Sequence, residues 1–122
     1  MEPPENNLLA AAKAKRIGDM FADSCRVSLP SYDVDKTFAR ADVQPYVMMA
    51  RSRYRRIAIN FYDFNISFPQ DNQAEVDVTA FVKATTQAGE AVQEIHELTF
   101  SLEKGEDEWL FTDIEGVQVL EK

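Results

Sequence analysis

The sequence predicts an α+β fold, with N-terminal helices packed on a strongly curved antiparallel sheet of four long strands plus one or two short ones. Three observations support this. Apolar residues recur at helical spacing in the first half of the chain, they alternate in the second half, and short Gly-, Asp- and Asn-containing turns separate the alternating segments. A length of 122 residues fits a single domain spanning residues 1–122.

The first quarter of the chain predicts a helix followed by a short strand. Apolar residues at helical spacing favour a helix over Asn6–Asp23. Residues Cys25–Pro30 alternate in type and end at a proline, which is typical of a short strand. Ser31–Asp35 then reads as a turn, and Lys36–Phe38 as a brief return strand.

A second helix is predicted around residues 42–54. Asp42 is expected to be its N-cap, and Pro45 is expected in the first turn, where a missing N–H is harmless. Its apolar stripe is Val43, Tyr46, Val47, Ala50 and Tyr54.

The second half of the chain predicts four antiparallel strands joined by short turns. These are Ile57–Phe68, Ala74–Ala88, Ala91–Lys104 and Trp109–Leu120. In the first of them the apolar phase runs Ile57, Ile59, Phe61 and then switches to Phe64, Ile66, Phe68. A switch of one residue predicts a β-bulge near Phe61–Tyr62 that bends the strand.

Charge and composition exclude several classes of function. Residues 1–56 hold ten Lys/Arg and seven Asp/Glu, whereas residues 57–122 hold three Lys/Arg and fourteen Asp/Glu. So acidic a sheet would repel phosphates, which argues against nucleic acid as a partner. Cys25 and His96 are the sole residues of their types, so no metal site is expected, and without a phosphate-binding loop no cofactor is expected either.

No segment is apolar enough to span a bilayer, and Met1–Glu5 lacks the features of a signal peptide. Two locations stay open: the cytoplasm, or the periplasmic or extracytoplasmic side if an N-terminal signal or anchor was removed. The sequence does not decide whether Met1 is the native start.

The order of these elements resembles the NTF2-like superfamily, the cone-shaped fold of nuclear transport factor 2, ketosteroid isomerase and polyketide-cyclase-like (SnoaL-like) proteins. The resemblance rests on Met20–Pro30, on the helix at Asp42–Tyr54 and on the closing stretch Asp107–Ile114 with Trp109. It covers nearly the whole chain and is nearest to uncharacterised bacterial members. It implies a pocket between helices and sheet.

The resemblance to the isomerases of this fold implies three site positions. Their general-base aspartate falls on Leu29, which cannot take a proton. Their oxyanion-binding tyrosine falls near Glu5, which is unsuited to that role at neutral pH. Their buried acid falls on His96, so one of the three roles has an occupant.

Strand alternation by itself places His96 on one side with Leu98 and with Glu94, an imidazole beside a carboxylate. The alternative is a half-buried histidine satisfied by a tyrosine or by backbone. The predicted ligand-binding set is His96, Glu94, Leu29, Tyr46, Phe61 and Leu98.

The leading hypothesis is a non-catalytic module that binds a small hydrophobic ligand or a protein partner. The alternatives are an isomerase, cyclase or dehydratase that uses His96 on a hydrophobic substrate, and an extracytoplasmic assembly domain of a membrane-anchored protein. Apolar residues are predicted on both faces of the sheet, with Phe81 and Ile95 on one face and Val82 and Phe100 on the other. This favours a homodimer through the sheet face.

Overall fold

A computed structural model describes residues 13 and 15–119 and contains a six-stranded, curved, unclosed sheet with few helices. A short 3₁₀ turn, Pro30–Tyr32, follows the first strand. The main elements are β1 (Phe21–Leu29), β2 (Val34–Ala39), α1 (Arg40–Ser52), β3 (Tyr54–Gln70), β4 (Gln73–Thr86), β5 (Ala91–Lys104) and β6 (Trp109–Val119).

The strands lie in the order β2-β1-β6-β5-β4-β3. The four long strands β3 to β6 pair with one another antiparallel, as predicted. The brief return strand at Lys36–Phe38 is also confirmed, because β2 runs antiparallel to β1 with Phe38 opposite Cys25. Among the described strands only β1 and β6 are parallel, and this pair joins the N-terminal hairpin to the C-terminal strands.

The helix predicted for Asn6–Asp23 ends earlier in the structure than in the prediction. Residues 15–19 are helical, but Phe21–Asp23 belong to β1. The backbone N–H of Phe111 donates to the carbonyl of Met20 at 2.9 Å, and the rings of Phe21 and Phe111 pack edge-on with centroids 5.6 Å apart. Pairing with β6 therefore outweighs the local helical pattern. The part of the prediction before residue 13 lies outside the described residues.

Helix α1 begins two residues earlier than predicted. Its N-cap is Ala39, so Asp42 lies in the first turn and Pro45 inside the helix. The earlier start is held by Arg40, whose Nε donates to the carbonyl of Phe21 at 2.8 Å. The predicted stripe is confirmed at Val43, which is buried in the core, while Tyr54 starts β3.

The β-bulge in β3 is confirmed but lies slightly further along than predicted. Tyr62 pairs with Thr79 and Asn65 with Asp77, so β3 carries one extra residue between them. Asp63 lies at this bulge and has φ = 60°, in the left-handed region of backbone conformation. Because the alternation shifts there, the apolar residues before and after the bulge share one face.

We call the sheet face that packs against α1 the inner face. Val43 of α1 lies in one buried cluster with Cys25, Val27 and Phe38, and strand pairing carries that face across the sheet to β4. Its buried β4 positions are Ala74, Val78, Ala80 and Ala84. The opposite side is the outer face. Within the part of the chain that the structure describes, no helix is long and apolar enough to cross a membrane.

Candidate functional site

His96 lies in the middle of β5 on the inner face, between Ala80 of β4 and Gln118 of β6. It is 4% exposed and the only polar or charged residue among the buried ones described. A buried polar side chain is costly unless it is hydrogen-bonded. Its partners therefore determine what this site can do.

Two side chains hold the imidazole. Nε2 of His96 lies 3.0 Å from Oε1 of Glu94, which is two residues away on the same face of β5. The same Nε2 lies 3.0 Å from the hydroxyl oxygen of Tyr32, and the two rings stack with centroids 5.3 Å apart. The hydroxyl of Tyr32 also donates a short hydrogen bond to Oε1 of Glu94.

These contacts assign the protons. Glu94 as a carboxylate only accepts, and the single proton of Tyr32 is directed to it. Nε2 of His96 must therefore carry a hydrogen and donate. In the neutral ring the lone pair is then on Nδ1, and no described residue hydrogen-bonds to Nδ1. In that neutral form, Nδ1 is a buried acceptor without a partner among the described residues.

The electrostatic surroundings favour a charged Glu94 and a neutral Tyr32. The hydrogen bond from Tyr32, and to a lesser extent that from His96, lowers the pKa of Glu94, against the opposing effect of burial. Burial and the neighbouring carboxylate raise the pKa of Tyr32 above its ordinary value. Around neutral pH Glu94 is therefore charged, while Tyr32 remains a neutral donor.

The structure brings Leu29 and Leu98 together beside the polar cluster. Both approach Gly116 of β6, where a Cβ atom would lie 2.4 Å from Cδ2 of Leu98 and 2.9 Å from Cδ2 of Leu29. Only glycine leaves room for the two leucines at this point. Phe61 shares a cross-strand row with Ala80 and His96, two strand spacings or roughly 10 Å from the imidazole.

Tyr46 lies elsewhere than predicted. It packs edge-on against Phe38 at 5.0 Å, within the contact of α1 with the β1–β2 side of the sheet. Among the described residues it forms no hydrogen bond and no ring contact with His96 or Glu94. It is a core residue here, as aromatic side chains at helical spacing usually are.

Tyr32 is the residue that sequence analysis missed. It lies in the predicted turn Ser31–Asp35, next to Asp33 in the left-handed conformation. A turn residue is expected to face solvent, and nothing local indicates a partner 64 positions away. The alternative of a half-buried histidine satisfied by a tyrosine or by backbone gives that tyrosine no residue number.

A separate groove of about 480 Å³ lies at the end of the sheet near the β4–β5 turn. Arg56, Ala58, Lys83 and Gln93 contribute to its lining, and His96 does not. Within the described residues, no group of three His, Cys, Asp or Glu side chains is placed to hold a metal ion.

Cys25 behaves as a small apolar group. It is 1% exposed in the core beneath α1. Burial, with a contribution from Asp113, raises the pKa of its thiol to about 11. The reactive thiolate form is therefore scarce at neutral pH.

No protein-family model matches the sequence, and no curated protein matches it. Solved structures do match, and they show an NTF2-like, cystatin-like fold.

Three of these structures come from bacteria. A hexachlorocyclohexane dehydrochlorinase, LinA-type3, from Novosphingobium barchaimii has a TM-score of 0.72 at 10% identity, over 91% of this chain and 77% of that one. An NTF2-like protein with a cystatin-like fold from Novosphingobium aromaticivorans has a TM-score of 0.72 at 10% identity, over 92% and 73%. An uncharacterised cystatin-like protein from Caulobacter vibrioides has a TM-score of 0.70 at 14% identity, over 91% and 80%.

Proposed function

We propose that this domain binds, without catalysis, a small and mostly apolar ligand that carries one hydrogen-bond donor. The observation that carries the proposal is the buried His96, whose Nε2 is occupied by Glu94 and Tyr32 while Nδ1 lacks a partner among the described residues. A ligand hydroxyl or N–H that donates to Nδ1 would satisfy it. The NTF2-like fold supports the proposal, since ligand sites occur between its helices and sheet in the family it resembles.

The apolar part of the ligand would rest on Leu29, Leu98 and Phe61. The two leucines meet at Gly116, and Phe61 lies on the inner face in the row of His96. A site with one acceptor and apolar surroundings distinguishes ligands by whether they carry a hydrogen-bond donor more than by their exact shape. The reason is that a buried polar atom without a partner is costly.

The test uses β-naphthol as a probe and its methyl ether as the matched ligand without a donor, with binding followed by fluorescence. The hydrogen bond to Nδ1 should favour the naphthol by roughly fivefold, or about 1 kcal/mol. In His96→Phe that preference should vanish while both compounds still bind. Tyr62→Phe on the outer face serves as the control and should keep the wild-type preference.

Equal binding of the two compounds to the wild-type protein would contradict the role of Nδ1. If neither compound binds to the folded wild-type protein, the proposed binding of an apolar ligand is contradicted.

A second candidate is an enzyme in which His96 removes a proton from a hydrophobic substrate. The favouring observation is again Nδ1, a lone pair on an imidazole whose other nitrogen donates to a carboxylate. Leu29 offers no base at the position that the isomerases use, so His96 would have to act by itself.

Chloride release from hexachlorocyclohexane, the compound named for one similar structure, tests this candidate. The enzyme hypothesis predicts release that is lost in His96→Phe and weakened in Glu94→Gln. The binding hypothesis predicts none from the wild-type protein, and turnover that survives in His96→Phe would contradict the catalytic role of His96.

A further inference from the structure

Strand β3 is a long and unprotected edge of the sheet. It pairs with β4 on one side and with no described strand on the other. All of its residues after Tyr54 are exposed. An edge of this length offers a row of unpaired N–H and C=O groups to another strand.

Six large apolar side chains lie on the inner face of this edge. They are exposed by 42% to 64%, in the order Ile57, Ile59, Phe61, Phe64, Ile66 and Phe68. The bulge at Asp63 is the reason that they share one face, since without it the last three would point to the outer face. Asp63 is the single charged residue between Ile57 and Phe68.

The spacing of these six residues is symmetric about the point between Tyr62 and Asp63. An antiparallel second copy of β3 would therefore place Ile57 opposite Phe68, Ile59 opposite Ile66 and Phe61 opposite Phe64. On the outer face, Asn60 would lie opposite Asn65. Asp63 would face Tyr62, so the two carboxylates would not be directly opposed.

We propose that β3 binds a second copy of this chain, edge to edge and antiparallel about a two-fold axis between Tyr62 and Asp63. The occupant is inferred from self-complementarity, because a foreign strand would have no need of a symmetric pattern. A bulge usually hinders edge pairing. Here both copies carry it at the two-fold axis, so the registers on either side still match.

The exposed apolar side chains along β3 limit the size of the contact. Their exposed parts amount to roughly 600 Å² per chain, so pairing buries at most about 1,200 Å² of them in two chains, at the lower end of stable interfaces. Up to about a dozen backbone hydrogen bonds would be added along the paired edges. A slip of one residue would put apolar side chains opposite polar ones, so the register is specified.

Disulfide cross-linking tests this register directly. Asn60→Cys and Asn65→Cys proteins are prepared separately, mixed and oxidised. Directly opposed residues have Cα atoms about 4.5 to 5.5 Å apart, which a disulfide can bridge. The mixture should form a covalent dimer. Each variant by itself should not, since equivalent positions would lie about 14 Å apart. The wild-type protein controls for the buried Cys25.

A charged substitution among the six inner-face residues of β3 tests the apolar contacts. Ile59→Lys should weaken the dimer at least about tenfold in light scattering, since it buries a lysine opposite Ile66. Val117→Lys is the matched control: Val117 is 51% exposed and lies on β6, away from this edge.

Three outcomes would overturn the proposal. These are a wild-type protein that stays monomeric at high concentration, a mixture that does not cross-link, and single cysteine variants that cross-link as readily as the mixture. A dimer lost in Val117→Lys and kept in Ile59→Lys would assign the contact to the outer face instead. None of these readouts depends on ligand binding.

Discussion

Tyr32 illustrates how one residue sets the chemistry of the site. Its hydroxyl donates to Glu94 and thereby leaves the Nε2 hydrogen of His96 as the remaining donor. If Tyr32 were absent, the imidazole could rotate or change tautomer, since only Glu94 would hold it. The free Nδ1 is thus a consequence of a side chain on a different element.

This role predicts a pH-dependent loss of stability in Tyr32→Phe. The hydrogen bond from Tyr32 lowers the pKa of Glu94 in the folded protein below its unfolded value. A lowered pKa stabilises the fold above the unfolded pKa, and that contribution is lost as the pH falls through the folded pKa. Tyr32→Phe should therefore cost roughly 1–2 kcal/mol at neutral pH and less at about pH 3, below the unfolded pKa of a glutamate.

Urea unfolding of both proteins at the two pH values checks this prediction. Tyr62→Phe, which removes an exposed hydroxyl from the outer face, should change little at either pH. A deficit of Tyr32→Phe that stays the same size in acid would show that the hydroxyl does not act through Glu94.

At the scale of the element, β3 shows how one irregular residue directs a whole strand. Asp63 has φ = 60°, a conformation that aspartate tolerates and β-branched residues avoid. The bulge keeps Phe64, Ile66 and Phe68 on the same face as Ile57, Ile59 and Phe61.

Substitutions at Asp63 should follow that backbone requirement. Asp63→Gly should be at least as stable as the wild type, and Asp63→Val should lose about 1–2 kcal/mol, because valine is strained in the left-handed region. Thermal or urea unfolding measures both, with Asn65→Val as the control at a regular strand position. Equal stability of the two valine variants would rule out a strained bulge at Asp63.

At the scale of the whole molecule, two surfaces of the sheet are proposed for contact with a second copy. On the outer face, Phe81, Ile95 and Val119 lie side by side on β4, β5 and β6, and the homodimer through this face stays a prediction. The β3 edge is a separate surface and would extend the sheet instead of stacking it. The Ile59→Lys and Val117→Lys variants distinguish the β3 edge from the outer face, because each lysine lies on only one of these surfaces.

Much of the C-terminal sheet could be predicted because its signals are local. Alternation and turn residues locate β5 at both ends, and the phase switch in β3 predicts a bulge within two residues of its place. The same alternation puts Glu94, His96 and Leu98 on one face, which the structure confirms through the contact of Glu94 with His96.

The sequence by itself therefore determined the order of the strands along the chain and the face on which His96 lies, because side-chain alternation is a property of each strand. Only the tertiary structure decided that Phe21–Asp23 are strand, that Tyr46 lies in the core and that Tyr32 holds the imidazole. Each of these depends on partners far away in the chain: β6 for Phe21, Phe38 for Tyr46 and His96 for Tyr32. The energy of such contacts appears only when the sheet has formed, and no local pattern records it.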